Sequence, residues 1–263
     1  MTLSTLPRGT TQITVPGIIG GLGPLAHIQF EQVLLERSCR RGAGCDQDHP
    51  EWILVNATQV PDRTQSIKGL VADCAPTLIR YGQKLEAAGA DFLIVTCNTA
   101  HAFYDTVQPA LGLPWLPLMD CTAQSLREQF PSVQKVGILA TDGTLQTQLY
   151  HQSLQKSGLT PVWPTLASPM QQRVMQSIYH PAWGIKTTGA QVSDTALTVL
   201  RHATDWLKEQ GAEIAIAGCT ELSVGLAQIP DLSLPWIDPL TVIADMALDL
   251  AYGDRPLQFS HAA

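Results

Sequence analysis

The chain repeats itself, and this constrains its fold more than any other feature. "GIIGGLG" from Gly17 returns as "GILATDG" from Gly137, an offset of 120. "GADFLIVTCNT" from Gly89 returns as "GAEIAIAGCTE" from Gly211, an offset of 122, and "LPW" at 113–115 returns at 234–236, an offset of 121. Three matches in order at nearly one spacing make coincidence a poor explanation. The period is also far longer than the roughly 20–50 residues of a solenoid unit. A duplicated domain is expected.

The class of that domain follows from hydropathy. Apolar runs ("VPGIIGG", "WILVNATQ", "FLIVTC", "LPWLPLMD") alternate with longer amphipathic segments, among them 27–40 and about 70–88. Strand–helix alternation implies βαβ units and a parallel sheet. Few polar residues interrupt the strands, as expected of sheets covered on both faces. Two such α/β domains facing each other leave a cleft between them.

The repeat makes Cys97 and Cys219 equivalent. Each stands where a buried strand ends, the edge at which open α/β sheets bind ligands. Each is followed by cap-type residues, Asn98-Thr99 and Thr220-Glu221. A thiol at a helix N-terminus lies near the positive end of the macrodipole, which favours thiolate. A thiolate on one wall and a thiol on the other form a base–acid pair across a small substrate. One takes a proton from carbon and the other returns one to the opposite face, which is racemisation without a cofactor. A single free cysteine more often serves as a small hydrophobe. That is the reading for Cys74, on an apolar row with Leu70, Val71, Leu78 and Leu85, and for Cys39 and Cys45, whose spacing lacks a second ligand pair for zinc. Cys121 has no partner across the repeat.

Composition narrows the partners. The net charge is −7 with no basic block, which argues against nucleic acid. No apolar run reaches the length of a membrane span, and the N-terminal stretch reads as a polar lead-in and not as a signal peptide. Six cysteines without a secretory signal point to a reducing compartment, hence to the cytoplasm.

Five motifs, "GGLGP" (20–24), "PDRT" (61–64), "CNTAH" (97–101), "GIKTTG" (184–189) and "GCTEL" (218–222), resemble the aspartate/glutamate racemase superfamily in its aspartate racemase branch. They fall in the family order and span nearly the whole chain. The Asp-Ser-Gly opening usual in the glutamate branch is absent. The resemblance implies two α/β domains related by a pseudo-twofold axis, with the active site in the cleft between them. It implies a homodimer acting on a small acidic amino acid, L- or D-aspartate, with neither pyridoxal phosphate nor metal. The expected division is 1–117 plus 233–263 for the domain carrying Cys97, and 118–232 for the domain carrying Cys219. The family's two catalytic cysteines map onto Cys97 and Cys219, and its substrate-gripping cations onto Arg63 and Lys186. Asn98, Thr99, Thr220 and Thr141 are expected to hold the α-carboxylate and ammonium. His101, Glu221, Gly21 and Leu22 are supporting candidates, and His27 stands where the branch often has Thr.

The repeat supports the cations separately: Arg63 lies 34 residues before Cys97 and Lys186 lies 33 before Cys219, as matching loop positions. Two cations suit a dicarboxylic amino acid, with Arg63 able to make a bidentate contact. Other readings stay open. Glutamate or a broader substrate range fits the same residues, as do hydantoin racemases, maleate isomerases and arylmalonate decarboxylases of the same architecture. A non-catalytic amino-acid sensor would not need two thiols. "GLGPLA" at 21–26 satisfies the dinucleotide fingerprint of an oxidoreductase, although the next strand ends in Asn56 and not in an acid.

Overall fold

A computed structural model of the chain describes residues 13–257; residues 1–12 of the expected lead-in lie outside the described residues. The first half runs β1 (Pro16–Gly20), α1 (Pro24–Arg40), β2 (Ile53–Asn56), α2 (Arg63–Ile67), α3 (Ala75–Ala87), β3 (Phe92–Val95), a 3-10 turn (Thr99–Phe103), α4 (Tyr104–Val107) and α5 (Leu118–Gln129). The second runs β4 (Lys135–Ala140), α6 (Asp142–Gln146), α7 (Leu149–Lys156), β5 (Thr160–Val162), α8 (Pro169–Tyr179) and α9 (Ile185–Thr188). It continues with α10 (Asp194–Glu209), β6 (Ile214–Gly218), α11 (Thr220–Leu226), β7 (Trp236–Ile237) and α12 (Pro239–Ala251).

The two sheets have one topology. The first is β2-β1-β3, the second β5-β4-β6-β7, and every pairing is parallel. The counterpart of β7 in the first sheet is a single bridge, Leu93 to Trp115, so "LPWLPLMD" forms less strand than its apolar run suggests. Register preserves the repeat: Gly17 pairs with Leu93, and its equivalent Gly137 pairs with Ala215. The fold class read from the sequence is the one observed.

Strand residues alternate between two cores, as a side-chain period of two requires. Ile18, Phe92 and Ile94 face one way, Ile19, Leu93 and Val95 the other. The second set packs on Leu78 and Leu85 of α3, and in the other domain Leu139, Ala215 and Ala217 pack on Leu200 and Leu207 of α10. The remaining faces share a single core. Ile18 and Ile94 belong to the same cluster as Ile138 and Ile216, joined through Leu126 of α5, Leu154 of α7 and Ile243 and Ala247 of α12. Helix α5 packs on α7 and α12, and α12 packs on α1. Each domain's last helix therefore crosses over, and the two sheets are tied by a continuous apolar layer. Trp236 and Ile237 pair with β6, so β7 belongs to the second sheet although it follows residue 233.

One expected helix is shorter than its pattern. Helix α3 starts at Ala75, not near residue 70, because Pro76 favours the first turn of a helix. Leu70 and Val71 are exposed and share no row with the buried Cys74. Among the described residues no helix is long and apolar enough to cross a membrane.

Candidate active site

Both cysteines sit at the C-terminal ends of strands, one from each domain, and line one narrow cleft. Each is 7% exposed. The surrounding elements differ from the expected pair of capped helices. Cys97 leads into a 3-10 turn, and the Asn98 side chain caps nothing; its Oδ1 accepts from the phenol of Tyr150. Burial raises the Tyr150 pKa, which keeps it a neutral donor, while Asn98 Nδ2 is buried without a protein partner. Cys219 is itself the N-cap residue of α11, in extended conformation and without a side-chain cap bond.

Leu22, Arg63, Asn98, Thr99, Thr141, Lys186, Thr220 and Glu221 line the cleft beside the cysteines. Arg63 and Lys186 are not in loops: they lie in the short helices α2 and α9. Arg63 Nη2 donates to the Leu22 carbonyl at 2.8 Å and Nη1 to that of Pro61 at 3.1 Å. Its Nε is buried without a protein partner. Burial alone would lower the Arg63 pKa, but Cys97 and Asp62 beside it raise it overall. Lys186 forms a hydrogen-bonded ion pair with Glu221, and its ammonium lies 5.6 Å from the centroid of the Tyr179 ring. Burial likewise lowers the Lys186 pKa, and Glu221 and Cys219 more than offset it.

Glu221 is the hub of the second wall. Its Oε2 accepts from Cys219 Sγ at 3.0 Å and from Thr220 Oγ1 at 3.1 Å, while Oε1 binds Lys186. Burial pushes its pKa up, but the lysine and the hydrogen bonds win and hold it below the usual carboxylate range. The Cys219 thiol is driven the other way, well above its ordinary range, first by burial and then by the neighbouring carboxylate. Burial and the Glu221 carboxylate thus oppose the expected thiolate-favouring helix terminus at Cys219.

The two walls are related position by position. Thr99 stands two residues after Cys97, as Glu221 stands two after Cys219. Thr99 Oγ1 reaches across the cleft to Thr141 and Thr144, at 3.0 Å each, and Thr141 caps α6. Gly23, the N-cap of α1, and its equivalent Gly143, in the first turn of α6, are pressed against the opposite domain. A Cβ on Gly23 would lie 2.7 Å from Glu221 Oε1, and one on Gly143 2.9 Å from Thr64 Oγ1 and Thr99 Cγ2.

These contacts also bear on the dinucleotide reading. Gly21 has φ +85°, and a Cβ there would lie 2.6 Å from the Ala57 amide nitrogen and 2.6 Å from Asn56 Oδ1. Its N–H donates to His27 Nδ1 at 3.0 Å, so the unusual His27 buttresses the turn. The space beside Gly23 is occupied by the Glu221–Lys186 ion pair, where the fingerprint would need room for a diphosphate.

His101 and Gly21 do not line the cleft. His101 is buried behind Cys97, where Nε2 accepts from Trp115 Nε1–H at 3.1 Å. Nδ1 therefore carries the proton, which it donates to the Cys97 carbonyl at 3.0 Å. Burial lowers its pKa to about 4, so it supports Cys97 as a neutral ring. Tyr179, at the end of α8, was not singled out in the sequence; it lines the cleft between Lys186 and Asp62. Its position just upstream of "GIKTTG" was the only signal, and a lone tyrosine near a helix end carries little information. Among the described residues no group of three or more His, Cys, Asp or Glu could hold a metal ion.

Residues 19–247 match the family described as Asp/Glu/Hydantoin racemase. The chain is 28% identical over 245 residues to a Bacillus subtilis protein, the broad specificity amino-acid racemase RacX, covering 90% of this chain and 98% of that one. Among solved structures, Picrophilus torridus aspartate racemase superposes with a TM-score of 0.75 at 25% identity, over 90% of this chain and 94% of that one. A Francisella tularensis glutamate racemase in complex with D-glutamate shares the fold, with a TM-score of 0.63 at 17% identity over 94% and 84% of the two chains. The chain thus belongs to the Asp/Glu/hydantoin racemase family.

Proposed function

We propose that this protein is an isomerase, a cofactor-independent racemase interconverting L- and D-aspartate by two-base proton transfer between Cys97 and Cys219. The observation that carries this reading is the placement of two thiols from equivalent strand ends in one narrow cleft with Arg63 and Lys186. A thiolate on one wall removes the Cα proton, and the thiol on the other wall protonates the planar carbanion from the opposite face. Arg63 and Lys186 hold the two carboxylates. Asn98 Nδ2 and Arg63 Nε, buried without protein partners, are donors ready for the α-carboxylate. The hydroxyls of Thr99, Thr141 and Thr220 take the ammonium.

Lys186 is bound to Glu221 in the free site, so an arriving carboxylate exchanges for Glu221 at the lysine. A neutral side chain offers nothing for that exchange, which favours a dicarboxylic substrate. The similarity to a broad-specificity racemase supports a second reading, in which the same proton transfer serves a wider set of amino acids. A cytoplasmic homodimer completes the proposal.

Incubation of L-Asp, L-Glu and several neutral amino acids in D₂O, with chiral analysis and Cα deuterium measurement, tests both. Aspartate should racemise with Cα deuteration, and Cys97→Ser and Cys219→Ser should each abolish it. No Cα exchange with any amino acid, or normal racemisation by both variants, overturns the proposal. Comparable exchange of neutral amino acids selects the broader reading.

A further inference from the structure

The two thiols are matched in the fold but not in their charge. The position two residues after Cys219 is a buried carboxylate, Glu221; the equivalent position after Cys97 is the neutral Thr99. The Cys219 Sγ–Glu221 Oε2 contact of 3.0 Å is a hydrogen bond only if sulfur carries the proton, because the carboxylate is ionised by its pairing with Lys186. Cys97 instead faces the guanidinium of Arg63, which stays positively charged even though burial opposes the charge.

We infer that the site is electrically handed. Resting on the racemase reading above, the structure assigns the proton of the pair to Cys219 and the role of resting base to Cys97, with Glu221 as the residue that sets this order. The charged groups near the pair do not all act in the same direction, and the balance decides the assignment. Facing Cys219 are Glu221 from α11, Lys186 from α9 and the neutral phenols of Tyr179 from α8 and Tyr150 from α7. Facing Cys97 are Arg63 from α2, with Asp62 behind it, Lys186 and the buried thiol of Cys74. Lys186 acts more on Cys219 than on Cys97 and opposes the assignment, but burial and Glu221 outweigh it at Cys219, while Arg63 favours the anion at Cys97.

The consequence is a directional first step. The enantiomer whose Cα–H faces Cys97 reacts with the resting form: its proton passes from carbon to the Cys97 sulfur, and the Cys219 proton passes to the opposite face of the same carbon. The turnover leaves Cys97 as thiol and Cys219 as thiolate. That second form places two negative charges in hydrogen-bond range at Cys219 and Glu221, and is the less stable of the two. The opposite enantiomer requires it.

Alkylation by iodoacetamide as a function of pH, with each cysteine followed by peptide mass spectrometry, tests the assignment in the absence of any amino acid. The midpoint of each pH–rate curve reports thiolate formation and is independent of how easily the reagent reaches that sulfur. The wild-type protein should show a Cys97 midpoint at least about 1 pH unit below that of Cys219. Glu221→Gln should lower the Cys219 midpoint by about 1 unit or more and move that of Cys97 much less. Glu221→Asp, which keeps the charge, should leave Cys219 the later of the two. A wild-type Cys219 midpoint at or below that of Cys97, or one that Glu221→Gln leaves in place, overturns the inference. Should Glu221→Gln fail to fold, the wild-type order decides it. Absence of racemisation with this order intact would remove the proposed reaction and keep the handed site.

Discussion

The neutral, buried state of His101 makes acid stability a quantitative test of the wall behind Cys97. Its ring pKa is lowered from 6.5 to about 4 by burial, against the opposing help of backbone groups including the Cys97 carbonyl. The unfolded chain therefore binds a proton that the folded one refuses. Stability from this group is complete above the unfolded value near pH ~6.5 and is lost as pH falls toward the folded value. A shift of roughly 2.5 units at ~1.4 kcal/mol per unit corresponds to about 3 kcal/mol in full, of which roughly 2 kcal/mol disappears between pH 7 and pH 5. His101→Phe removes the titration. It also leaves the Trp115 Nε1–H unpaired, which costs about 1–3 kcal/mol at neutral pH. The variant should therefore be less stable at pH 7, yet lose roughly 2 kcal/mol less than wild type on acidification to pH 5, so that the two curves converge. Urea unfolding at several pH values reads this difference, because other titrating groups cancel between the two proteins. Parallel curves for the two proteins would refute the reasoning, and so would a His101 ring titrating near pH 6.5 by NMR.

Two further expectations follow from close contacts in the cleft. Gly143→Ala should gain up to ~1 kcal/mol from helix propensity in α6 but lose about 1–3 kcal/mol by forcing Thr64 and Thr99 apart. Net destabilisation in thermal unfolding is expected, and a stabilised variant would show that the domains part there at no cost. Arg63→Lys keeps the charge but loses the planar fork that spans the Leu22 and Pro61 carbonyls and that the proposed function assigns to a substrate carboxylate. We expect kcat/KM for aspartate to fall about 10–100-fold, corresponding to ~1.4–3 kcal/mol, and undiminished kinetics would remove Arg63 from the substrate grip.

Much of the architecture was legible along the chain because its causes are local or periodic. Buried runs such as "FLIV" declare parallel strands, and the repeat fixes how β1–β3 and β4–β6 correspond. The segment near residue 70 misled because Leu70, Val71 and Cys74 have helical spacing, while the Ala75-Pro76 start excludes the first two from the helix. The crossing of α5 and α12 is invisible locally, since an amphipathic helix packs equally well on either domain's sheet. Only the shared core, with Ile18 and Ile138 in one cluster, shows where each helix goes.

The sequence by itself determined the duplicated parallel α/β frame and placed two cysteines and two cations at corresponding positions in it. These depend on periodicity and spacing, which survive in one dimension. The tertiary structure alone decided what each group feels: Lys186 against Glu221, 35 residues apart, Thr99 against Thr141, 42 apart, and Tyr179 beside Asp62, 117 apart. A thiol's proton affinity is set by its burial and by charges within a few ångströms, whichever part of the chain they come from. Two cysteines that the repeat makes alike are made unlike by their neighbours in space.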